Sequence, residues 1–313
     1  MTTGLITHHA CLGHLTPPGH PERVERLRAV LGALDGEQFP DLVRFEAPRA
    51  TREALLRVHD EVLVDDILSA RIEQGHFKRI DADTAMSQGS VEAALRAAGA
   101  VIEAVNLVMA GRIANAFCAV RPPGHHAERA QAMGFCLFNN IAVGALHARA
   151  AYGLDRVAAV DFDVHHGNGT QDIFVNDSNL FYASTHQFPL YPGTGAASER
   201  GVAGNIVNAP LAPGSGSAAF RAVFEDTILP ALETFAPQFL FISAGFDAHE
   251  ADPLASLRLD EADFGWATER LCAVAARVCG GRVVSALEGG YDLGALARSA
   301  AAHVGALRTC GEG

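Results

Sequence analysis

Hydrophobic and polar positions along the chain follow two alternating patterns. Short apolar runs that contain β-branched residues are separated by longer Ala/Leu/Arg stretches with helical spacing. The runs predict five strands, at residues 117–120, 157–161, 180–184, 239–243 and 282–287. Because each run is too apolar to leave one face in water, we expect these strands in the middle of a parallel sheet.

The stretches between the runs predict helices, and their spans are 21–34, 90–110, 140–152, 218–234, 261–278 and 293–308. Strands that alternate with helices are typical of an α/β fold. No internal repeat or linker-like segment divides the chain. We therefore predict one domain over residues 1–313, a three-layer αβα arrangement around a central, mostly parallel sheet.

The predicted loops collect the unusual residues, and they span 15–20, 121–138, 165–170, 186–195, 245–253 and 288–292. Ligands of an open parallel sheet bind beyond the carboxyl ends of its strands. Four runs lead directly into ionisable residues, with the sequences RPPGHH, DFDVHHGNG, AGFDAH and EGGYD. This convergence predicts one chemical site at the carboxyl edge of the sheet.

The segment 161–165 carries two carboxylates and an imidazole. In an extended chain the alternation of side chains puts Asp161, Asp163 and His165 on one side. Carboxylates this close repel each other unless a cation or a proton lies between them. With Asp247 from another strand end, the set predicts a metal site that leaves a position open for water. The alternative is that Asp163 and Asp247 cap helices or turns.

Two further motifs suit proton transfer. The prolines of 121–126 stiffen the approach to His125 and His126, and a neutral imidazole at such a place is a candidate general base. Tyr291 follows a flexible glycine pair and can donate a hydrogen bond to a developing oxyanion. The alternatives are a polar histidine pair on the surface and a tyrosine packed at the sheet edge.

Composition narrows the class of protein. The chain has 36 acidic and 24 basic residues among 313, a formal charge of −12, and no basic block, which disfavours nucleic-acid binding. Its six cysteines contain no C-x-x-C spacing, so we expect reduced thiols rather than a disulfide framework or a structural zinc site. Without a membrane-length apolar run or a signal-like start, the sequence predicts a cytoplasmic protein with no membrane partner.

Taken in order, these motifs resemble the zinc-dependent histone deacetylase and acetylpolyamine amidohydrolase superfamily, and most closely its class II members. The matching segments are 20–23, 121–140, 161–170, 184–195, 244–253 and 288–291. The resemblance implies an arginase/deacetylase-like fold and one zinc ion per chain, held by Asp163, His165 and Asp247. It also implies a structural potassium ion near the zinc, bound at Asp161, Asp163, His165, Ser184 and Thr185. An Asp/His/Asp set does not by itself distinguish zinc from ferrous iron.

The resemblance also implies catalytic roles. His126 is expected to be the general base and acid, and His125, paired with Asp161, to stabilise charge. Tyr291 is expected to polarise the scissile carbonyl. Asn168 stands where class I enzymes have an aspartate partner for the second histidine, and asparagine there is the class II pattern.

The expected acyl-lysine tunnel is lined by Gly134 and Phe135 on one wall, and His20 is expected to line it as well. Tyr191 occupies the opposite wall, where these deacetylases usually have phenylalanine. Leu254 falls where the polyamine-selective class II enzyme carries a gatekeeping glutamate. The absence of that carboxylate favours an acyl-lysine or a neutral substrate over a polyamine.

We therefore expect a zinc-dependent amidohydrolase that removes acetyl or related acyl groups from lysine ε-amines in proteins or peptides. The alternative within the superfamily is a deacetylase of acetylpolyamines or other small amides. A binuclear manganese ureohydrolase is disfavoured because Gly167 and His249 stand where it needs carboxylates. A binding protein that keeps the metal without turnover is the remaining rival, and the resemblance leaves a monomer and a homo-oligomer open.

Overall fold

The computed structural model describes residues 2–36 and 38–311, and an eight-stranded sheet runs through its centre. In chain order the strands are β1 (Thr3–Thr7), β2 (Val43–Glu46), β3 (Lys78–Arg79), β4 (Ala85–Met86), β5 (Asn115–Cys118), β6 (Val157–Asp161), β7 (Leu180–Gln187), β8 (Ile206–Leu211), β9 (Phe239–Ala244) and β10 (Val283–Leu287). The large sheet has the order β2-β1-β5-β10-β9-β6-β7-β8, and each of its pairings is parallel. β3 and β4 form a separate antiparallel pair.

The helices lie between the strands and are α1 (Val24–Leu34), α2 (Arg52–Leu56), α3 (Glu61–Leu68), α4 (Ser90–Met109), α5 (Asn140–Tyr152), α6 (Asn168–Phe174), α7 (Ser217–Val223), α8 (Leu229–Phe235), α9 (Glu261–Cys279) and α10 (Leu293–Gly311). A π-helical turn over Phe224–Ile228 joins α7 to α8. Local chemistry marks the ends of several helices. In α9 the Asp260 side chain forms a capping box with Asp263, and the helix ends at Gly280 in the left-handed conformation.

Helices cover the sheet in two groups. α4 packs on β1, β5 and β10, while α5 packs on β6 and β9 and against α4. α10 packs on β1 and β5, α9 packs on β9, and the two helices pack against each other and against α1 and α8. A parallel sheet places its crossover helices on both faces, and these groups form the outer layers. The predicted three-layer α/β fold is confirmed.

The five predicted strands occupy consecutive positions in the sheet, as β5, β10, β9, β6 and β7, and all their residues are buried. Their expected place in the middle of the sheet is therefore correct. Several boundaries differ from the prediction. β5 lies two residues earlier than predicted, β7 continues to Gln187 inside the predicted 186–195 loop, and α6 begins at Asn168 inside the predicted 165–170 loop.

The helix predicted from residue 21 begins instead at Val24, because Arg23 is extended. The preceding Glu22 is fully buried and pairs with Arg26 and Arg121. A tertiary ion pair thus holds the segment that local sequence would place in a helix.

The sequence patterns missed β1, β2 and β8. β2 and β8 are the sheet edges, and most of β2 is exposed, so neither has the continuous apolar pattern of a central strand. β8 contains Pro210, which an edge strand tolerates.

The expectation of unpaired, mostly buried cysteines is borne out: all six are free thiols, and only Cys310 is partly exposed. Within residues 2–36 and 38–311 no helix combines the length and apolar character needed to cross a membrane.

Candidate active site

The carboxyl ends of β6, β9 and β10 meet at one edge of the sheet and bring the predicted metal ligands together. The ligand atoms of Asp163, His165 and Asp247 all lie within 4.8 Å of one another, and the three residues are buried. His165 Nδ1 is 3.2 Å from Asp163 Oδ1 and 3.1 Å from Asp247 Oδ2. The fold therefore brings together the three metal ligands that were predicted from the sequence.

The local conformation differs from the one expected. β6 ends at Asp161, and the residues after it form bends, so strand alternation does not orient Asp163 and His165. Each carboxylate instead accepts the backbone N–H two residues on: Asp161 Oδ1 from Asp163 at 3.1 Å, and Asp163 Oδ1 from His165 at 2.9 Å. Side-chain-to-backbone turns of this kind give the chain a defined path without a strand.

Close backbone approach from β10 completes the pocket around the carboxylates. Gly289 donates its N–H to Asp163 Oδ2 at 2.8 Å, and any Cβ at this position would collide with Asp247 and Asp163. Val164 N–H donates to Asp247 Oδ1 at 2.9 Å. Asp247 thus has one oxygen held by the backbone and the other directed at the His165 ring, whereas backbone N–H groups hold both oxygens of Asp163.

The donor set fits a divalent metal with nitrogen and oxygen ligands. Burial would lower the pKa of His165, but its hydrogen bonds to Asp163 and Asp247 raise the pKa to about 10. The two carboxylates therefore favour a positive charge between the three ligand atoms, and a metal cation would supply it. Two carboxylates and one imidazole with an open position match a catalytic zinc site.

His125 lies beside this centre and is held by Asp161. Its Nδ1 is 3.0 Å from Asp161 Oδ2, and the same oxygen accepts a hydrogen bond from the Tyr182 hydroxyl at 3.0 Å. Burial lowers the pKa of His125, but Asp163, Asp161 and Glu288 together raise it well above its ordinary value. The predicted pairing of His125 with Asp161 is present, and it favours an imidazolium.

His126 has the opposite electrostatic environment. Burial, followed by the charges of His125 and His165, holds its pKa well below the ordinary value. Its Nδ1 lies 2.7 Å from Asn168 Oδ1, and the Asn168 amide nitrogen donates to Glu128 Oε1 at 2.7 Å. Because Glu128 fixes the amide, Asn168 presents its oxygen to an N–H of His126. The other ring nitrogen, Nε2, then carries a free lone pair, as a general base requires.

Tyr291 closes the other side of the site. Burial raises the pKa of its phenol well above 10, so the hydroxyl keeps its proton and remains a donor. Its ring lies 4.8 Å from the guanidinium of Arg26, which also donates to the backbone carbonyls of Glu288 and Gly290 at 2.5 Å each. No residue in the described part of the chain accepts a hydrogen bond from the Tyr291 hydroxyl. That donor is left for a ligand.

A narrow cavity of about 220 Å³ leads to these groups. The predicted tunnel residues Gly134, Phe135, Tyr191 and Leu254 line it, and His126, His165 and Tyr291 are at its end, with Asp83 and Leu190 completing the lining. Gly134 has a φ of +56°, and a side chain there would strike the His126 ring. The predicted tunnel wall and the candidate catalytic groups therefore share one cavity.

His20 does not line this cavity. Its ring packs edge-on against Phe135 with the ring centroids 4.7 Å apart, and it lines a larger neighbouring cavity. Its contact with the predicted tunnel is thus through the Phe135 wall.

Several residues of the site had no assigned role in the sequence interpretation. Glu288 accepts the N–H groups of Gly124 at 2.6 Å and His125 at 3.1 Å, and Asp252 accepts that of Tyr291. Tyr182 is a buried aromatic within β7. The available signal was the position of Glu288 directly after β10, but its hydrogen-bond partners are distant in sequence.

The predicted potassium ligands lie on neighbouring strands. Ser184 pairs in register with Asp161 across β7 and β6, and Thr185 follows it. Outside the Asp163, His165 and Asp247 set, the described residues hold one other group of three metal-ligating side chains, His8, His9 and Glu46. Those residues lie near the carboxyl ends of β1 and β2, away from the candidate active site.

Comparison with known proteins supports the same chemistry. A model of the histone deacetylase domain matches residues 20–307. A probable deacetylase of Archaeoglobus fulgidus is 40% identical over 299 residues, 94% of this chain and 82% of its own length. The chloroplastic histone deacetylase 14 of Arabidopsis thaliana is 40% identical over 319 residues, 95% of this chain and 75% of its own.

The fold is also found among solved structures. The HDA15 HD domain superposes with a TM-score of 0.92 at 37% identity, covering 98% of this chain and 88% of that one. The match of sequence, fold and Asp-His-Asp centre leads to one conclusion: the chain belongs to the histone deacetylase family and is a zinc-dependent deacetylase.

Proposed function

We propose that this chain removes acetyl or related acyl groups from lysine ε-amines in proteins and peptides. The observation that carries the proposal is the wall of the cavity: Phe135, Tyr191 and Leu254 line the approach to His126 and Tyr291. An aliphatic lysine stem is neutral along its length and suits such apolar and aromatic walls. A carboxylate at position 254 would instead favour a substrate with a second ammonium group.

The arrangement supports hydrolysis of the amide. Asp163, His165 and Asp247 would hold the zinc ion, and when bound it would supply the positive charge that polarises an acyl carbonyl and lowers the pKa of water. His126 Nε2 takes a proton from the attacking water and later gives it to the departing amine. Tyr291 donates its hydroxyl hydrogen to the developing oxyanion, and the His125 imidazolium adds nearby positive charge. The products are a carboxylate, such as acetate, and the free amine.

A second substrate class is favoured by one observation. Asp83 lines the cavity beside Tyr191, and Asp81 lies close enough to raise the pKa of Asp83 after burial. A carboxylate here can pair with an ammonium group of an acetylpolyamine or another small amine. This candidate remains second because Leu254, which lines the same cavity, carries no charge.

The experiment is acetate release by the zinc-loaded protein from an acetyl-lysine peptide, acetylputrescine and acetylspermidine. We expect kcat/KM for the peptide to exceed that for either polyamine by tenfold or more. Leu254→Glu is expected to move the preference toward the polyamines, and Leu254→Gln is the neutral control. A preference of the unchanged protein for the polyamines would overturn the lysine proposal. If the unchanged protein turned over none of the three substrates, both candidates would be overturned.

Other expectations from the sequence stay proposals. These are a single catalytic domain over residues 1–313, a potassium ion at Asp161, Asp163, His165, Ser184 and Thr185, and a cytoplasmic location. Metal analysis of the purified protein tests the proposed content of one zinc rather than ferrous iron, and sedimentation measures whether it is a monomer or a homo-oligomer.

A further inference from the structure

A second cavity adjoins the tunnel and has no role in the chemistry described above. It has a volume of about 640 Å³ and is formed by the segment 15–25 together with Phe77, Pro253 and Tyr291. We refer to it as the side cavity. Its size lies within the range of small-ligand sites and exceeds that of the tunnel itself.

The walls of the side cavity are apolar and stiff. Prolines 17, 18, 21 and 253 contribute to them, together with Leu15, Val24 and Phe77. Leu15 is 51% exposed and Phe77 is 37% exposed. Proline-rich walls lose little conformational freedom when a ligand binds, because their φ angles are already fixed.

Exposed apolar side chains line the side cavity and the neighbouring tunnel. The described part of the chain has eight large apolar side chains that are exposed, and two of them line the side cavity. A third, Tyr191, lines the tunnel, and a fourth, Phe188, lies three residues before it. Single exposed apolar residues are ordinary, but a group of them beside a pocket marks a binding surface.

The side cavity and the tunnel share a thin partition. Tyr291 lines both, and consecutive residues face the two spaces: Pro253 the side cavity and Leu254 the tunnel. His20 of the side cavity packs on Phe135 of the tunnel. Because neighbouring Cα atoms of a peptide are 3.8 Å apart, a chain with one side chain in the tunnel brings the next residues to this partition.

The charged and polar groups of the side cavity indicate which kind of ligand it binds. Glu25 lies 3.7 Å from Arg28, and the Thr16 hydroxyl donates to the Glu22 carbonyl at 2.7 Å. Arg23 is exposed, and no residue in the described part of the chain pairs with it. Apolar groups therefore make up most of the surface offered to a ligand, with one free guanidinium at its margin.

We propose that the side cavity binds an apolar side chain, of leucine or phenylalanine size, one or two positions from the acyl-lysine of a peptide substrate. This inference rests on the proposed lysine deacetylase function and specifies its substrate. Peptides with such a neighbour bury apolar surface against Leu15 and Phe77, whereas a glycine neighbour leaves the side cavity empty.

The test is a panel of acetyl-lysine peptides in which the neighbouring residues are Gly, Leu, Phe, Asp or Lys in turn. We expect kcat/KM for the Leu and Phe peptides to exceed that for the Gly peptide by about tenfold or more, the effect of filling an apolar pocket. Leu15→Ser and Phe77→Ser are expected to reduce this ratio severalfold. The ratio is taken within each variant, so differences in the amount of folded protein cancel.

Val202→Ser is the matched control. Val202 is 61% exposed and precedes β8, at the opposite end of the sheet from the active site. This change is expected to leave the ratio as it is. A flat profile over the panel, or a preference for Asp through Arg23, would overturn the side-cavity proposal while acetyl-lysine turnover still supported the function. Absence of turnover with every acetyl-lysine peptide, and with acetyl-lysine amide, would overturn both.

Discussion

The Asp252 carboxylate accepts a hydrogen bond from the backbone N–H of Tyr291 at 2.7 Å and another from Leu254 at 3.0 Å. One buried side chain thus holds both Tyr291, the proposed oxyanion donor, and Leu254 of the cavity wall. Tyr291 follows Gly290, whose φ of +121° suits only glycine, so its loop has little stiffness of its own. Asp252 supplies the missing restraint.

Asp252→Asn is expected to lower kcat by about tenfold to a hundredfold, because an amide can replace only one of the two acceptor oxygens and Tyr291 loses its position. Steady-state kinetics with an acetyl-lysine peptide measure the effect. Asp260→Asn is the matched control, since Asp260 also accepts backbone N–H groups, but at the start of α9. Equal kinetics in the two variants would contradict a positioning role for Asp252.

Tyr291→Phe is expected to lower turnover by about 10²–10³ while the bound zinc is retained. The change removes one hydroxyl that donates to the oxyanion and leaves the three metal ligands in place. Turnover and zinc content are measured on the same preparation. Turnover close to that of the unchanged protein would remove Tyr291 from the mechanism.

Zinc affinity is expected to rise with pH by about tenfold per pH unit between pH 6 and 8. His165, with its pKa raised to about 10, holds a proton in this range, and the metal must displace it. Competition against a chelator of known pH dependence measures the slope. An affinity that does not change with pH would show that no proton is released from the site.

Stability at acid pH is expected to depend on His303, a buried histidine whose ring packs against Phe162 and Phe246. Burial lowers the pKa of His303 to about 3, and its ring nitrogens lie 2.6 Å from the Thr268 hydroxyl and 2.8 Å from that of Ser285. The unfolded chain binds a proton below about pH 6.5 while the folded chain does not. Stability is therefore lost as the pH falls from 6.5 toward 3.

Urea unfolding at pH 8 and pH 5 tests this contribution. The difference in unfolding free energy between the unchanged protein and His303→Gln is expected to shrink by about 2 kcal/mol at pH 5, because only the histidine carries the protonation penalty. His76→Gln, at an exposed position, is the matched control and is expected to show no such change. A difference for His303→Gln that is constant with pH would mean that His303 is protonated in the folded state.

Local sequence determined much of the scaffold. The apolar runs that became β5, β6, β7, β9 and β10 are continuous because a central parallel strand is buried on both faces, so their pattern needs no knowledge of the neighbours. The sequence patterns did not predict the edge strands β2 and β8, because an edge strand is apolar only in part. Its structure depends on the strand with which it pairs.

Part of the chemistry of the site could also be predicted from the sequence. Asp163 and His165 are two residues apart and meet Asp247 because parallel strands end at a common edge, a rule that any α/β sequence obeys. The structure also showed that bends rather than a strand orient Asp163 and His165. Only the tertiary structure decided that Gly289 donates to Asp163 and that Asp252 holds Tyr291. These two contacts join residues 126 and 39 positions apart, and no local pattern records which distant backbone N–H a buried carboxylate will accept. The same holds for the side cavity, whose walls come together only when the segment 15–25, Phe77 and Pro253 pack beside Tyr291.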